Sequence, residues 1–205
     1  MYTEFYKDRP LIQNEYEEAD WNTASGLEPH VIDRMIRDFA AANPKMPAPL
    51  VMAHAYRLLL ENAQLSLNVH TMFPDKLRHG GEYKTVATQS VLEMYSRERY
   101  ENALIRGCPA IRSERNVLRF SGVAVPDTDV WHTVVDWSEV LRLGAPGLLQ
   151  RAKDAKREKQ TAGTLTERQT VFYDSVIISY TAMLTYMRRL LAEAERVGCT
   201  RYAAA

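Results

Sequence analysis

The sequence predicts a mainly helical chain with few or no strands, and three observations support this. Apolar residues from Val31 to Phe39 recur at the three- and four-residue intervals that place side chains on one face of a helix. A longer series with the same period runs from Phe172 to Ala194. Prolines at positions 44, 47 and 49 follow the first series, as expected for a corner between two helices.

Prolines set the bounds of the first two predicted helices. Pro29 opens the first helix, and Pro44 stops it near Asn43, because the residue before a proline is pushed out of helical dihedral angles. Pro47 and Pro49 suit the first turn of a second helix. The two segments are therefore predicted to form a helical hairpin.

The middle of the chain has a weaker pattern. A third helix is predicted at 85–106, and Gly107 ends it. The stretch 107–137 loses the helical period, and short extended pieces are predicted there, near Val117 and Val123.

The last part of the chain is predicted to contain a kinked helix and then a long one. Ser138 is expected to cap the kinked helix, and Gly144–Gly147, with a proline inside, should interrupt it. Thr164 and Glu167 have the spacing of a capping box at the start of the long helix, which should end near Gly198.

The long helix is expected to be buried between layers. Its residues 180–191 are apolar on more than one side, so a single neighbouring helix would not cover them. The charged stretch 153–159 that precedes it is expected to be a solvated face.

The chain is interpreted as a single helical segment, 1–205, in four parts. These are an aromatic arm (1–26), helices (27–106), an irregular stretch (107–137) and the kinked and long helices (138–198). The arm contains Tyr2, Phe5, Tyr6, Tyr16 and Trp21, which are too many aromatic residues for a free tail. They pack either on this domain or on another segment or subunit, and the pattern leaves both open.

Composition excludes several classes of function. Lys+Arg and Asp+Glu both number 26, so neither a nucleic-acid surface nor an acidic tail is predicted. Two cysteines make no disulfide framework, nothing resembles a signal peptide, and no apolar run is long enough to span a bilayer. The expected compartment is a reducing cytoplasm. No phosphate-binding or dinucleotide-binding glycine motif is present.

The most informative stretch is Trp131–Leu149, with the sequence W-H-T-V-V-D-W-S-E-V-L-R-L-G-A-P-G-L-L. A histidine, an Asp-aromatic pair and then V-L-x-x-G-x-x-G-L follow in an order that resembles the pyruvate formate-lyase domain of glycyl radical enzymes. The later run L-T-E-R-Q-T-V-F-Y-D-S-V-I-I-S-Y continues the resemblance in register. E-N-A-Q-L-S-L-N and D-K-L-R-H-G-G resemble its N-terminal helical region more weakly, so the resemblance extends from Glu15 to Val197.

This resemblance implies a place in a larger fold. The chain corresponds to the N-terminal helical layer of a pyruvate formate-lyase-like α/β barrel, inside which a glycyl radical and a cysteine meet. In the family both groups lie on later segments. Cys108 therefore matches no family cysteine and is expected to be a small, half-buried side chain. The order Arg196-Val197-Gly198-Cys199 differs from the family's R-V-x-G radical signature, and a glycine there is an expected helix terminator.

His132 is the best candidate for a substrate contact. In the diol- and amine-handling enzymes that the chain resembles, the histidine of the corresponding motif touches substrate, and an imidazole can hydrogen-bond a hydroxyl or carboxylate. The alternative is a buried histidine that donates to a backbone carbonyl. Trp131 replaces the family's usual glycine and would change the pocket's shape. Asp136 is expected to be structural, accepting from backbone N–H groups at the helix start, or to orient His132.

A metal site is not predicted. His54, His70 and His79 are separated by sixteen and nine residues, spacings that match no compact ligand set, and no cysteine lies near them.

The resemblance implies the N-terminal portion, or a subunit, of an anaerobic glycyl radical lyase or dehydratase for a small polar carbon compound. The chain would supply scaffold and a pocket wall and would bind no cofactor itself. Its implied partners are the remainder of the enzyme chain or a companion subunit, further copies in a homo-oligomer, and the radical S-adenosylmethionine activating enzyme that installs the glycyl radical elsewhere. Nucleic acid and membranes are not expected partners. The alternative is a non-catalytic helical interaction protein derived from the same scaffold.

Overall fold

The computed structural model describes residues 6, 7, 9, 10, 13, 26–67, 71, 106, 107, 114, 117, 121 and 136–199. These residues are mainly helical and include no strand, which confirms the predicted fold class. The helices described are α1 (Pro29–Ala42), α2 (Ala48–Asn62), α3 (Trp137–Thr161) and α4 (Glu167–Val197). The chain divides into two compact units, Met1–Leu92 with Ala145–Ala205, and Glu93–Gly144.

The predicted helical hairpin is confirmed in α1 and α2, which pack against each other. Pro29 lies in the first turn of α1, where its missing N–H leaves no helical bond unmade. Ile32 and Ile36 are buried on the face of α1 that carries the predicted apolar series. Asn43 ends α1, and its side-chain amide donates to the Phe39 carbonyl at 2.8 Å.

The segment just before α1 also contacts the segment just after α2. Leu27 N–H donates to the Asn62 carbonyl at 2.7 Å, and Leu27 forms an isolated parallel bridge with Ala63. Gly26 permits this approach because its φ is +127° and a Cβ there would lie 2.5 Å from the Gln64 Cα. Leu65 lies in the segment after α2 and is fully buried.

Helix α4 packs along α2 and is closed at both ends. The N-terminal capping box is formed by Thr166 and Gln169, two residues after the predicted start: the Thr166 hydroxyl accepts from Gln169 N–H at 3.2 Å, and the Gln169 side chain accepts from Thr166 N–H at 3.0 Å. Gly198 ends the helix in the left-handed conformation, with φ 75°, as predicted. None of the described helices is both long and apolar enough to cross a membrane.

The prediction that α4 is buried between layers is wrong for the described residues. Ala182, Tyr186 and Ala194 are buried, but Met187 and Leu191 are 49% and 41% exposed. The small and aromatic residues occupy the covered side, so the second apolar side remains at the surface.

Helix α3 is interrupted at Gly144, as predicted. The φ and ψ angles of Gly144 are 59° and 177°, which lie outside the helical region, and the unit boundary falls at the same residue. Pro146 follows in the first turn after the break, where it removes no helical hydrogen bond. The charged face beyond is solvated at Lys153, but Lys156 pairs with Asp174 and so connects α3 to α4.

Several predictions concern segments of which the structure describes few residues or none. In the predicted third helix only Arg106 is described, and it is helical. Val117 is helical too, and its carbonyl accepts from Ser121 N–H at 2.9 Å, so the predicted extended piece is wrong at that residue. Val123 lies outside the described residues, as do four of the five arm aromatics. The fifth, Tyr6, is 69% exposed.

Candidate functional site

Of the three residues predicted at the substrate pocket, only Asp136 lies within the described part of the chain. His132 and Trp131 are outside the described residues, whereas Asp136 is described and exposed. Asp136 accepts from Glu139 N–H at 3.2 Å, so this carboxylate, and not Ser138 as predicted, caps α3. Glu139 is held by Arg142 through a two-point ion pair with a shortest distance of 2.8 Å.

The first turns of α3 present an apolar surface to solvent. Trp137 is 64% exposed and Leu141, one turn later on the same face, is 81% exposed.

A groove of about 730 Å³ runs between the N-terminal halves of α2 and α4. It is called the α2–α4 groove below, and it lies entirely within one unit. Three residues of α2 and eight of α4 line it: Pro49, Met52, Ala53, Arg168, Val171, Phe172, Ser175, Val176, Ser179, Tyr180 and Met183.

The lining of the α2–α4 groove is mainly apolar. Its two serines already use their hydroxyls within α4, because Ser175 donates to the Val171 carbonyl at 2.7 Å and Ser179 donates to the Ser175 carbonyl at 2.9 Å. Arg168 is the charged residue of the lining, and it stands exposed at the beginning of α4. The groove therefore suits an apolar side chain with an anion at one end.

Arg189 closes the opposite end of the α2–α4 pair. Its guanidinium donates to the carbonyls of Leu60 and Ala63, each at 2.6 Å. These carbonyls stand at the C-terminal end of α2, where no helical N–H remains to satisfy them. Burial lowers the pKa of Arg189, partly offset by the neighbouring Tyr186 and Glu61, but the group stays protonated at every physiological pH. Periodicity and motifs did not single out Arg189, although an arginine in an otherwise apolar stretch of α4 is a usable signal.

His54 is a packing residue in the described part of the chain. Its ring lies 4.8 Å from the Phe39 ring, centroid to centroid, and connects α1 with α2. Burial and the nearby Arg57 lower the pKa of His54, and Glu61 opposes them. His70 and His79 lie outside the described residues, within which no group of three or more His, Cys, Asp or Glu side chains could hold a metal ion.

The Arg196–Cys199 sequence is used structurally. Arg196 forms a two-point ion pair with the buried carboxylate of Glu193, with distances of 2.8 and 2.6 Å. Gly198 terminates α4, and Cys199 is 1% exposed, with its thiol 3.9 Å from the Thr71 carbonyl. Cys108 lies outside the described residues.

Comparison with known proteins identifies the family. A sequence model described as pyruvate formate lyase-like matches residues 81–202, which is more than half of the chain and includes all of α3 and α4. Neither the curated proteins nor the solved structures contain a match to this chain. Because the family match covers more than half of the chain, the chain belongs to the pyruvate formate lyase-like family.

Proposed function

We propose that this chain is the N-terminal helical part, or a subunit, of an anaerobic glycyl radical enzyme that acts as a lyase or dehydratase on a small polar carbon compound. The family match carries the proposal, because it spans 81–202 and so contains both the His132–Asp136 motif and the long helix α4. The chain contributes scaffold and one wall of the substrate pocket.

The described helices support the scaffold role. Helix α4 is capped at both ends, is tied to the end of α2 by Arg189, and is connected to α3 by the Lys156–Asp174 ion pair. A long helix held at several points along its length keeps attached segments in fixed positions. Such rigidity is what a pocket wall requires, since small displacements of a contacting group reduce rates strongly.

His132 is the proposed polar contact of that wall. Its imidazole would hydrogen-bond a hydroxyl or carboxylate of the substrate, and Trp131 beside it would narrow the pocket. Asp136, four residues later, is fixed at the start of α3 by its bond to Glu139 N–H, which supports an anchoring role for this carboxylate.

The radical glycine and the hydrogen-abstracting cysteine are proposed to come from the remainder of the enzyme or from a companion subunit. The observed roles of Gly198, as a helix terminator, and of Cys199, as a buried thiol, support this assignment for the described residues. A radical S-adenosylmethionine enzyme in the cytoplasm would install the radical on that remainder.

Anaerobic activation tests the enzymatic role. The chain, with whatever assembles with it, is purified from its own cells without oxygen and treated with an activating enzyme and S-adenosylmethionine. An organic radical in the electron paramagnetic resonance spectrum, and turnover of a small diol, amine or 2-oxo acid, are the expected results. Absence of the radical from the complete assembly would contradict the proposal.

Two variants test His132 itself. His132→Ala should reduce kcat/KM by at least about tenfold, equivalent to about 1.4 kcal/mol of lost transition-state binding, while radical yield and the melting curve stay unchanged. The matched control is His30→Ala, because His30 is exposed on α1 and lies outside the matched residues. Loss of soluble protein in the His132 variant alone would show that the histidine is structural.

The alternative function is that of a non-catalytic helical interaction protein, and the α2–α4 groove is the observation that favours it. A protein of this kind should melt cooperatively as an isolated chain and bind little apolar dye. A chain that normally packs against the rest of an enzyme should bind much more dye and aggregate.

A further inference from the structure

We propose that the α2–α4 groove binds the anion of an unbranched fatty acid, with the acyl chain along the groove and the carboxylate at Arg168. The described lining residues belong to α2 and α4, which lie in the same compact unit. Binding of this kind is a further activity, separate from the proposed lyase or dehydratase role.

The size and shape of the groove suit a small, extended ligand. Its volume of about 730 Å³ lies within the range of about 300–1,000 Å³ that is usual for ligand pockets. Along α4 the lining runs from Arg168 to Met183, a length of about 22 Å at about 1.5 Å per residue. Dividing the volume by this length gives a mean cross-section of about 33 Å², less than half that of a peptide helix about 10 Å in diameter. The groove is therefore too narrow to enclose a helix but wide enough for an acyl chain.

The lining favours a hydrocarbon ligand. Ser175 and Ser179 already donate their hydroxyl protons to carbonyls of α4, so an apolar ligand leaves neither hydroxyl without an acceptor. An extended peptide would bring carbonyl groups of its own into the groove, and neither serine has a proton left to give them. Met52 of α2 and Met183 of α4 have flexible side chains, which adapt to acyl chains of different length.

Charge fixes the direction of the ligand. Arg168 stands at one end of the groove, and within the described part of the chain it forms no ion pair. No carboxylate is among the described lining residues, so none there competes for this guanidinium. A guanidinium binds a carboxylate through two parallel N–H···O bonds. The carboxylate of the fatty acid is therefore placed at Arg168, and its methyl end points toward Met183.

Titration of the full chain with octanoate, decanoate and dodecanoate tests the binding. Isothermal titration calorimetry below the micelle concentrations should show saturable binding, with a Kd that falls by about fourfold for each added methylene, because each one is buried against the lining. If no fatty acid binds, or if Kd does not change with chain length, the proposal is overturned. Protein, rather than a ligand of this class, would then be the occupant of the groove.

Two substitutions on α4 locate the acyl chain. Phe172→Glu removes part of the apolar lining and places a carboxylate one turn from Arg168, so the Kd of dodecanoate should rise by more than about tenfold. The matched control, Met187→Glu, makes the same change in charge beyond the groove and should leave Kd unchanged. Both replaced side chains are exposed, so the fold should be kept, and circular dichroism checks this. Equal Kd values in the two variants would show that dodecanoate binds elsewhere and would overturn the proposal.

The ion pair is tested by changing the ligand and the protein together. Arg168→Gln should raise the Kd of dodecanoate by about fivefold but leave that of its methyl ester unchanged, because the ester carries no charge. Arg188→Gln is the matched control, since Arg188 is exposed and lies outside the lining. If Arg168→Gln weakens binding of the acid and the ester equally, the carboxylate does not meet Arg168 and the proposed site is wrong.

Discussion

The two halves of the α2–α4 pair differ in how completely they close. Toward the C-terminus of α4, Ala182 and Tyr186 are buried and Arg189 bonds two carbonyls at the end of α2. Toward the N-terminus, the same two helices leave a groove, and Phe172 is 60% exposed at its edge. One pair of helices therefore has a closed half and an open half.

The difference between the two halves follows from which backbone carbonyls need hydrogen-bond donors from another element. At the end of α2 the last carbonyls have no helical donors, so burying them requires an outside group, and Arg189 supplies it. In the open half Ser175 and Ser179 bond to carbonyls of α4 itself. These two hydroxyls require no second element, so the groove can remain open without leaving them unpaired.

Removing the arginine should have the largest effect on the closed half. In Arg189→Met, two buried carbonyls lose their donors, and each such loss costs about 1–3 kcal/mol, so we expect the free energy of unfolding to fall by about 4 kcal/mol. Denaturant unfolding followed by circular dichroism measures this change.

The neighbouring arginine provides the control. Arg188 is exposed, so Arg188→Met should change the free energy of unfolding by less than about 0.5 kcal/mol. Arg189→Lys should recover only part of the loss, because an ammonium group cannot reproduce the two-point fork of the guanidinium. Equal effects at positions 188 and 189 would show that the carbonyl bonds add nothing.

The second largest effect is expected where the chain before α1 meets the end of α2. In Gly26→Ala, the new Cβ would lie 2.5 Å from the Gln64 Cα and the residue would have to keep a φ of +127°, so we expect a loss of about 2–3 kcal/mol. Gly163→Ala separates the effect of the positive φ from that of the close contact. The φ of Gly163 is +66°, but no atom lies within 4 Å of the added Cβ. That variant should lose only about 1 kcal/mol. If thermal or denaturant melts rank the two variants in the opposite order, the close approach is not a constraint.

The sequence predicted the helices well, because their signals are local. The apolar period, Pro29 and Gly198 determined where α1 and α4 begin or end, and the glycine break in α3 was correctly placed at Gly144. The cap of α4 was misplaced by two residues, at Thr166. At the start of α3 both Asp136 and Ser138 were expected to accept a backbone hydrogen bond, and Asp136 is the residue that caps the helix. Several residues near each start can accept a backbone hydrogen bond, and local spacing does not choose between them.

Contacts between distant residues were not predictable from period or spacing. Arg189 reaches carbonyls 129 and 126 residues earlier in the chain, and no local pattern encodes such a partner. The exposure of Met187 and Leu191 was missed for a related reason. A helical period shows which side chains share a face, but not whether another element covers that face.

The capping box of α4 should contribute less to the free energy of unfolding than Arg189 does. Thr166→Ala removes the acceptor of Gln169 N–H and should lower the free energy of unfolding by about 1 kcal/mol. Thr164→Ala changes the residue that the sequence favoured as the cap. In the structure the Thr164 hydroxyl donates to the Lys159 carbonyl at a long 3.4 Å, and the 2.9 Å bond from the Thr164 backbone N–H to the same carbonyl is kept in the variant. Its loss should therefore be below about 0.5 kcal/mol. A larger effect at Thr164 would move the start of α4 back to the predicted position.

The smallest effect is expected at His54, on the side of α2 that faces α1, and it depends on pH. Burial and Arg57 lower the pKa of His54 in the folded chain, so between the folded and unfolded pKa values the unfolded state binds more protons. This contribution to stability is thus complete above the unfolded pKa of about 6.5 and declines as the pH falls through and below that value. Urea midpoints measured from pH 5 to pH 8 should show a shallower acid-side decline in His54→Gln than in wild type. An unchanged slope in the His54 variant would mean that other groups cause the acid sensitivity.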